Sequence, residues 1–121
     1  MGGNGMSENR REFFRVNFQR SLSGQLLVHG GESMFLSIDN LSVKGLGFSS
    51  SIEIPLHARV ECRFEILDTP FQIVGSIIRK SRKTDEIEYG IDFEVDKEKS
   101  SLLFKQLNTY QIRQRRASYV D

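Results

Sequence analysis

Two arginines four positions apart, Arg11 and Arg15, stand near the start of a 121-residue chain whose formal net charge is only +1. At that spacing their side chains share one side of the chain, whether the backbone is extended or helical. Two guanidinium forks on one side can grip phosphates bidentately, stack on bases, or read the O6/N7 edge of guanine. Arg10 adds a neighbouring cation. Because the chain as a whole is nearly neutral, any anion site must be a local cluster. A second group follows in Asn40-Leu41-Ser42-Val43-Lys44-Gly45. Asn40 and Ser42 are two apart, so an extended backbone turns both to one face, and each is a compact hydrogen-bonding group. Gly45 permits a positive φ or a close backbone approach. A polar pair followed by a glycine can hold the edge of a flat ligand.

The elements that must position these residues read mostly as strands. Val60 to Ile66 alternates apolar and polar with a period of two, and Ile87 to Glu94 repeats the pattern. Phe71 to Ile78 is β-branched and mostly apolar, with Gly75 at a bend or a close approach. Asp68-Thr69-Pro70 reads as the turn before it, and Arg79 to Asp85 as a solvated connection after it. Gly24 to Val28 and Met34 to Ile38 flank Gly30-Gly31, a hairpin signal, and Gly45 to Ser50 is a short strand. About six short strands with hairpin-length links suit an antiparallel barrel or sandwich. Asp96 is a candidate N-cap for a closing helix over 97–115, with Leu103, Leu107 and Tyr110 on its apolar stripe and Arg113, Arg115 and Arg116 near its far end. The expected layout is a lead-in over 1–8, an arm over 9–20, a barrel over 21–94, the helix, and a tail over 117–121.

Other function classes find little support. A lone cysteine, Cys62, allows no internal disulfide, and its place on an apolar strand face suits a small core residue. His29 and His57 have no companion at metal-ligand spacing and read as surface or edge residues. No acid–base pair, Ser/His/Asp set or Cys/His set can be assembled, so the chain is not expected to be an enzyme and no cofactor is expected. No apolar run long enough to span a membrane exists, and the first residues do not form a secretory signal, so a cytoplasmic protein is the expectation. Asn40-Leu41-Ser42 also fits a glycosylation sequon, a reading that needs a secretory route. Gly45-Leu46-Gly47-Phe48 matches the loop with which PDZ domains hold a carboxylate, but those domains place it early and carry two helices.

Taken together, these residues resemble the PilZ domain family. Its two signatures are RxxxR, here Arg11-Glu12-Phe13-Phe14-Arg15, and [D/N]xSxxG, here Asn40-Leu41-Ser42-Val43-Lys44-Gly45, about thirty residues apart. Gly75-Ser76-Ile77-Ile78-Arg79 is similar to a "G-V-x-R" strand of the family, and Tyr89-Gly90-Ile91-Asp92-Phe93 to a "Y-x-x-G-V-x-F" strand. The likeness covers roughly residues 9–116. It implies a mainly β fold, a six-stranded antiparallel barrel of the split-barrel type with one C-terminal helix, that binds cyclic di-GMP, a bacterial second messenger. By the same resemblance Arg11 and Arg15 would grip phosphate and guanine from a mobile arm. Asn40 and Ser42 would hydrogen-bond a guanine, and Gly45 would let the backbone lie close. Asn40 stands where many relatives carry Asp; its amide oxygen still accepts from guanine N–H groups, less strongly than a carboxylate. The resemblance also implies that the residue before the motif influences stoichiometry. Arg10 there favours a stacked ligand pair, whose four phosphates need more neutralisation than two.

The implied role is a single-domain receptor, monomer or homodimer, that passes the signal to a protein of the motility or exopolysaccharide machinery. One rival is a PilZ-like interaction module that no longer binds nucleotide; both signatures being filled argues against it. Another is a barrel for single-stranded nucleic acid, which would want a basic, aromatic-studded sheet face. Charges here alternate in sign, as in Glu61-Arg63-Glu65, so no DNA or RNA partner is expected. Phe13 and Phe14 read as core plugs or lids rather than base-stacking platforms.

Overall fold

The computed structural model describes residues 14–120, the last three as backbone only. Six strands are followed by one helix: β1 (Arg15–Val28), β2 (Ser33–Ser42), β3 (Gly45–Ser50), β4 (Arg59–Ile66), β5 (Thr69–Arg82), β6 (Ile87–Glu94) and α1 (Lys97–Val120). They close into a barrel in the order β1-β2-β3-β6-β5-β4, every neighbouring pair antiparallel. Closure leaves no strand edge unpaired, so the outer face of the sheet is available as a surface for recognition. The mainly β barrel with one C-terminal helix is the expected fold.

Alternation decides what fills the interior. Val60, Cys62, Phe64 and Ile66 of β4 point inward while Arg63 and Glu65 face solvent. Ile87, Tyr89, Ile91 and Phe93 do the same on β6. The Phe48 and Tyr89 rings stack with centroids 4.9 Å apart. Buried Tyr89 keeps its hydroxyl satisfied: it accepts from the Ile54 N–H at 2.9 Å and donates to the Ile52 carbonyl at 2.8 Å. That pair pins the crossing between β3 and β4. Cys62 is fully buried, as expected of a small core residue, and burial followed by the Glu61 charge pushes its thiol up to about 12. It is therefore an apolar filler rather than a nucleophile at neutral pH.

The helix begins as Asp96 allows. The Lys99 N–H donates to its Oδ1 at 2.7 Å, and the Ser100 N–H to its carbonyl at 3.0 Å. Leu103 and Leu107 are fully buried against the barrel, and Tyr110 packs beside them. Lys99 Nζ donates to the Gln72 carbonyl and Gln106 Nε2 to Thr69 Oγ1, each at 2.8 Å, fixing the first half of α1 to β5. The helix runs to Val120, past the expected end at 115, so Arg113 and Arg115 stand inside it.

Three further boundaries differ from expectation. β1 starts at Arg15 rather than near 21, because Arg15, Val16 and Asn17 pair with Ser42, Leu41 and Asn40 before an irregular stretch interrupts the ladder. β5 continues through Arg82, so the polar run from Arg79 is strand, not connection, in its first half. Lys80 and Arg82 are held there by Glu53, at 2.5 and 2.7 Å, whose carboxyl they keep below the usual range. The hairpin between β4 and β5 turns on Leu67 and Asp68, both at positive φ (50° and 69°), and Thr69 and Pro70 already belong to β5. Positive φ at both central residues is the type I′ requirement, which matches strand twist.

Two glycines allow strands to approach where a side chain would collide. A Cβ on Gly75 would stand 2.4 Å from the Asp92 carbonyl oxygen, and one on Gly45 only 1.9 Å from that of Ile91. Both obstacles are backbone, which cannot swing away. Gly45→Ala is expected to lower the unfolding free energy by about 2 kcal/mol or more, through separation of β3 from β6. A urea titration reads it as a lower midpoint at constant slope; an unchanged midpoint contradicts the close approach.

Candidate functional site

Arg15, Asn40, Ser42 and Gly45 converge at the mouth of the β2–β3 connection, on the outer face of the barrel. Arg15 lies directly opposite Ser42 in the β1–β2 register, and Asn17 opposite Asn40. Partners in a ladder share a face, so Arg15, Asn17 and Asn40 turn outward while Val16 and Leu41 fill the core; Ser42, opposite Arg15, is itself fully buried. The Arg15 guanidinium donates from Nη1 to Asn40 Oδ1. That contact joins the two motifs singled out in the sequence across 25 residues of chain. Arg10 and Arg11 lie outside the described residues.

Asn40 reaches this face only through a break in alternation. Leu36 and Ile38 point inward, so an unbroken strand would send Asn40 inward too. Between Ile38↔Phe48 and Asn40↔Gly47 the register slips by one residue, a β-bulge at Asp39–Asn40. Asp39 is tied on both sides, accepting from Ser21 Oγ at 3.1 Å and Ser49 Oγ at 2.9 Å. After the bulge Asn40 faces out and Leu41 returns to the core.

Ser42 is fully buried, and its hydroxyl serves the turn. Ser42 Oγ accepts from the Lys44 N–H at 3.1 Å and lies 3.4 Å from the Gly45 carbonyl, to which it donates. Its described contacts therefore shape the connection, whereas those of Asn40 face outward. Gly45 acts by close approach rather than by a positive φ.

Three residues that sequence reasoning did not assign to the site complete the face. Gly47 pairs with Asn40, Gly90 pairs with Gly47, and Arg79 pairs with Gly90. Asn17, Asn40, Gly47, Gly90 and Arg79 thus form one row running across five strands. The Asn40 amide lies over Gly47, where a Cβ would stand 2.8 Å from Nδ2. The Arg79 guanidinium lies over Gly90, where a Cβ would stand 3.0 Å from Cζ. A second bulge, between Ile77↔Ile91 and Arg79↔Gly90, puts Arg79 rather than Ile78 opposite Gly90. Their signal was present as glycines on paired strands, but pairing is invisible without the register.

On this face two guanidinium charges stand close enough to oppose each other. Burial, and then the nearby positive charge of Arg79, holds the Arg15 pKa below its ordinary value. Elsewhere Arg59 pairs with Glu94, Arg63 with Glu61 at 2.7 Å, and Lys80 and Arg82 with Glu53. Among the described residues neither Arg15 nor Arg79 has a carboxylate partner. Two adjacent guanidinium groups without a carboxylate partner among the described residues, beside a primary amide, have the chemistry to hold an anion with hydrogen-bonding edges. The N-terminal end of β1 also touches the helix: the Phe14 ring meets Phe104 edge-on at 5.5 Å, and Phe18 meets Tyr110 at 5.4 Å. Phe14 is thus half-buried against the helix rather than open as a stacking platform. Phe13 is outside the described residues.

Other features carry less chemistry. An open groove of about 720 Å³ lined by Leu22, Gly24, Arg63, Phe64 and Phe71 holds none of the candidate ligand-binding residues. His29 and His57 are exposed. Among the described residues no group of His, Cys, Asp or Glu could hold a metal ion, and no helix is long and apolar enough to cross a membrane.

Known proteins place this architecture. The PilZ domain of YcgR from Escherichia coli, solved with c-di-GMP, superposes with a TM-score of 0.74 at 15% identity over 93% of this chain and 98% of that one. YcgR from the same organism in complex with c-di-GMP gives 0.74 at 18% identity, over 93% of this chain and 51% of that one. The Bacillus subtilis inhibitor of motility, MotI/DgrA, gives 0.67 at 13% identity, over 84% and 51%. The chain spans about half the length of these last two proteins. At such identities the likeness is one of fold. Curated protein sequences give no match. The family model of the PilZ domain matches residues 9–110, most of the chain including both arginine and asparagine motifs, and the chain belongs to the PilZ domain family.

Proposed function

We propose that the chain is a receptor for cyclic di-GMP that works without catalysis. The observation that carries this reading is the contact of Arg15 with Asn40 on a face where, among the described residues, neither Arg15 nor Arg79 has a carboxylate partner. Membership of the PilZ family and the c-di-GMP complexes of YcgR support it. A cyclic dinucleotide supplies what the face lacks: two phosphates for the guanidinium groups and guanine edges for the Asn40 amide. In this reading Arg11 and Arg15 grip phosphate and guanine, Asn40 accepts from guanine N–H groups, and Ser42 and Gly45 shape the connection that approaches the base. Arg10 adds charge for a second, stacked ligand molecule. The signal is the ligand-induced ordering of the arm ahead of Phe14, passed through the Phe14 contact to α1 and so to a partner protein. A partner in motility or exopolysaccharide machinery fits this scheme, MotI being named an inhibitor of motility.

Several charge-assisted bonds at about 1.5–3 kcal/mol each, less the cost of ordering, correspond to micromolar or tighter binding. Calorimetry with cyclic di-GMP is expected to show that affinity at two nucleotides per chain, with Arg11→Ala and Arg15→Ala each weakening it at least about tenfold. No heat at millimolar ligand contradicts the receptor reading, and one nucleotide per chain contradicts the role given to Arg10. Limited proteolysis within residues 1–20 is expected to slow on adding the nucleotide; equal rates contradict the signalling step.

A further inference from the structure

We propose that this chain pairs with a second copy of itself, the outward stripe of α1 on one copy seating in an acidic groove on the barrel of the other, and reciprocally. The groove, of about 660 Å³, runs over β2, β3 and the turn into β6. Phe35 and Ile52 stand in it, 69% and 51% exposed. Leu36 fills the core, so alternation turns Phe35 out. Asp39, Asp85, Glu86 and Glu88 line the same groove, and no lysine or arginine does. Glu88 has Lys83 at 3.9 Å, whereas Asp85 and Glu86 have no ion pair among the described residues. An exposed aromatic ring and an aliphatic side chain rimmed by charges of one sign mark a contact surface, and the partner that fits it is apolar and basic.

The helix of the same chain carries that chemistry. Leu103, Leu107 and Tyr110 pack on the barrel. At about 3.6 residues per turn, Leu102, Lys105, Ile112 and Arg116 fall on the side of α1 turned away from that stripe, and all four are exposed. From Ile112 to Ala117 every residue is exposed, so this end of the helix buries no side chain on its own barrel. Helical stability comes mostly from packing an amphipathic face, which a second copy supplies here. No acidic residue occurs between Glu98 and Asp121. Among the described residues Arg113 and Arg116 have no carboxylate partner. Ile112 thus offers an aliphatic knob to Phe35 and Ile52, with cations beside it for the carboxylates of the rim. The same cations oppose a pairing of α1 with α1, in which Lys105 and Arg116 would meet their like. Because every copy carries both halves, a two-fold pair closes with two identical contacts.

Sedimentation velocity on the full chain without nucleotide tests the pairing independently of the receptor reading. Wild type is expected to form dimers whose dissociation constant rises at least about tenfold from low to high salt, as a contact between opposite charges requires. The double variants Arg113→Glu/Arg116→Glu and Asp85→Lys/Glu86→Lys should each weaken association at least about tenfold, thermal unfolding confirming that both are folded. Mixed in equal amounts they should recover the dimer, because the reversed helix of one meets the reversed groove of the other while the two native halves also meet. Phe35→Ser should weaken association at every salt concentration. Wild type that stays monomeric at millimolar concentration and low salt overturns the proposal, and so does a mixture that recovers nothing. Loss of association in the helix variant alone, with the groove variant dimeric as wild type is, overturns the groove as the seat and points to a helix-on-helix contact.

Discussion

Strand alternation would carry the side chain of Asn40 into the core, between Ile38 and Leu41, where burying an amide without a hydrogen-bond partner costs about 2–7 kcal/mol while an apolar side chain is stabilising. One extra residue at Asp39–Asn40 reverses its direction, and the outward set of β1 and β2 then meets on one face. The displaced Asp39 is not left idle, since the hydroxyls of Ser21 and Ser49 hold it from the strands on either side. Everything recognisable about the site depends on that slip. Without it Arg15 would still face outward, but its partner would not.

The same device is used a second time on the opposite flank. β5 bulges at Ile78–Arg79, and both bulges deliver a planar polar side chain to the paired glycines 47 and 90. Gly47 and Gly90 face each other in the β3–β6 ladder, so the space above them is continuous. A barrel of this kind has a tightly filled interior, in which Phe48, Tyr89, Leu103 and Leu107 leave little room for a ligand. The candidate site is accordingly on the outer face, made of side chains lying on the sheet rather than of a cavity within it. Arg59, Arg63 and Arg82 are ion-paired on the barrel, while the charges of Arg15 and Arg79 oppose each other.

Much of this was legible in the residues themselves. The alternation of Val60–Ile66 and Ile87–Glu94 located β4 and β6, the Asp96 cap located the start of α1, and Gly75 was marked as a close approach that its 2.4 Å clash distance bears out. The misses have physical causes. Arg79–Arg82 reads as a loop because all four residues are polar; ion pairs to Glu53 and pairing with β6 make it strand. Arg15–Asn17 reads as an arm because the ladder breaks after Asn17 and only resumes at Leu22. Asn40 and Ser42 keep their two-residue spacing along β2, but their fates differ: Asn40 is half-buried, while Ser42 is fully buried and the turn claims its hydroxyl. The Gly47–Gly90–Arg79 row needed a register, which no single strand's pattern contains.

The claim at the centre of this account is that the un-neutralised outer face around Arg15, Asn40 and the paired glycines is where an anionic nucleotide lands. An amide and guanidinium NMR titration of the chain with cyclic di-GMP tests it most directly. The account expects the largest shifts at Asn40, Gly47, Gly90 and the Nε–H groups of Arg15 and Arg79, with the groove beside Phe64 and Phe71 unmoved. Shifts centred on that groove, or none at saturating nucleotide, would contradict it.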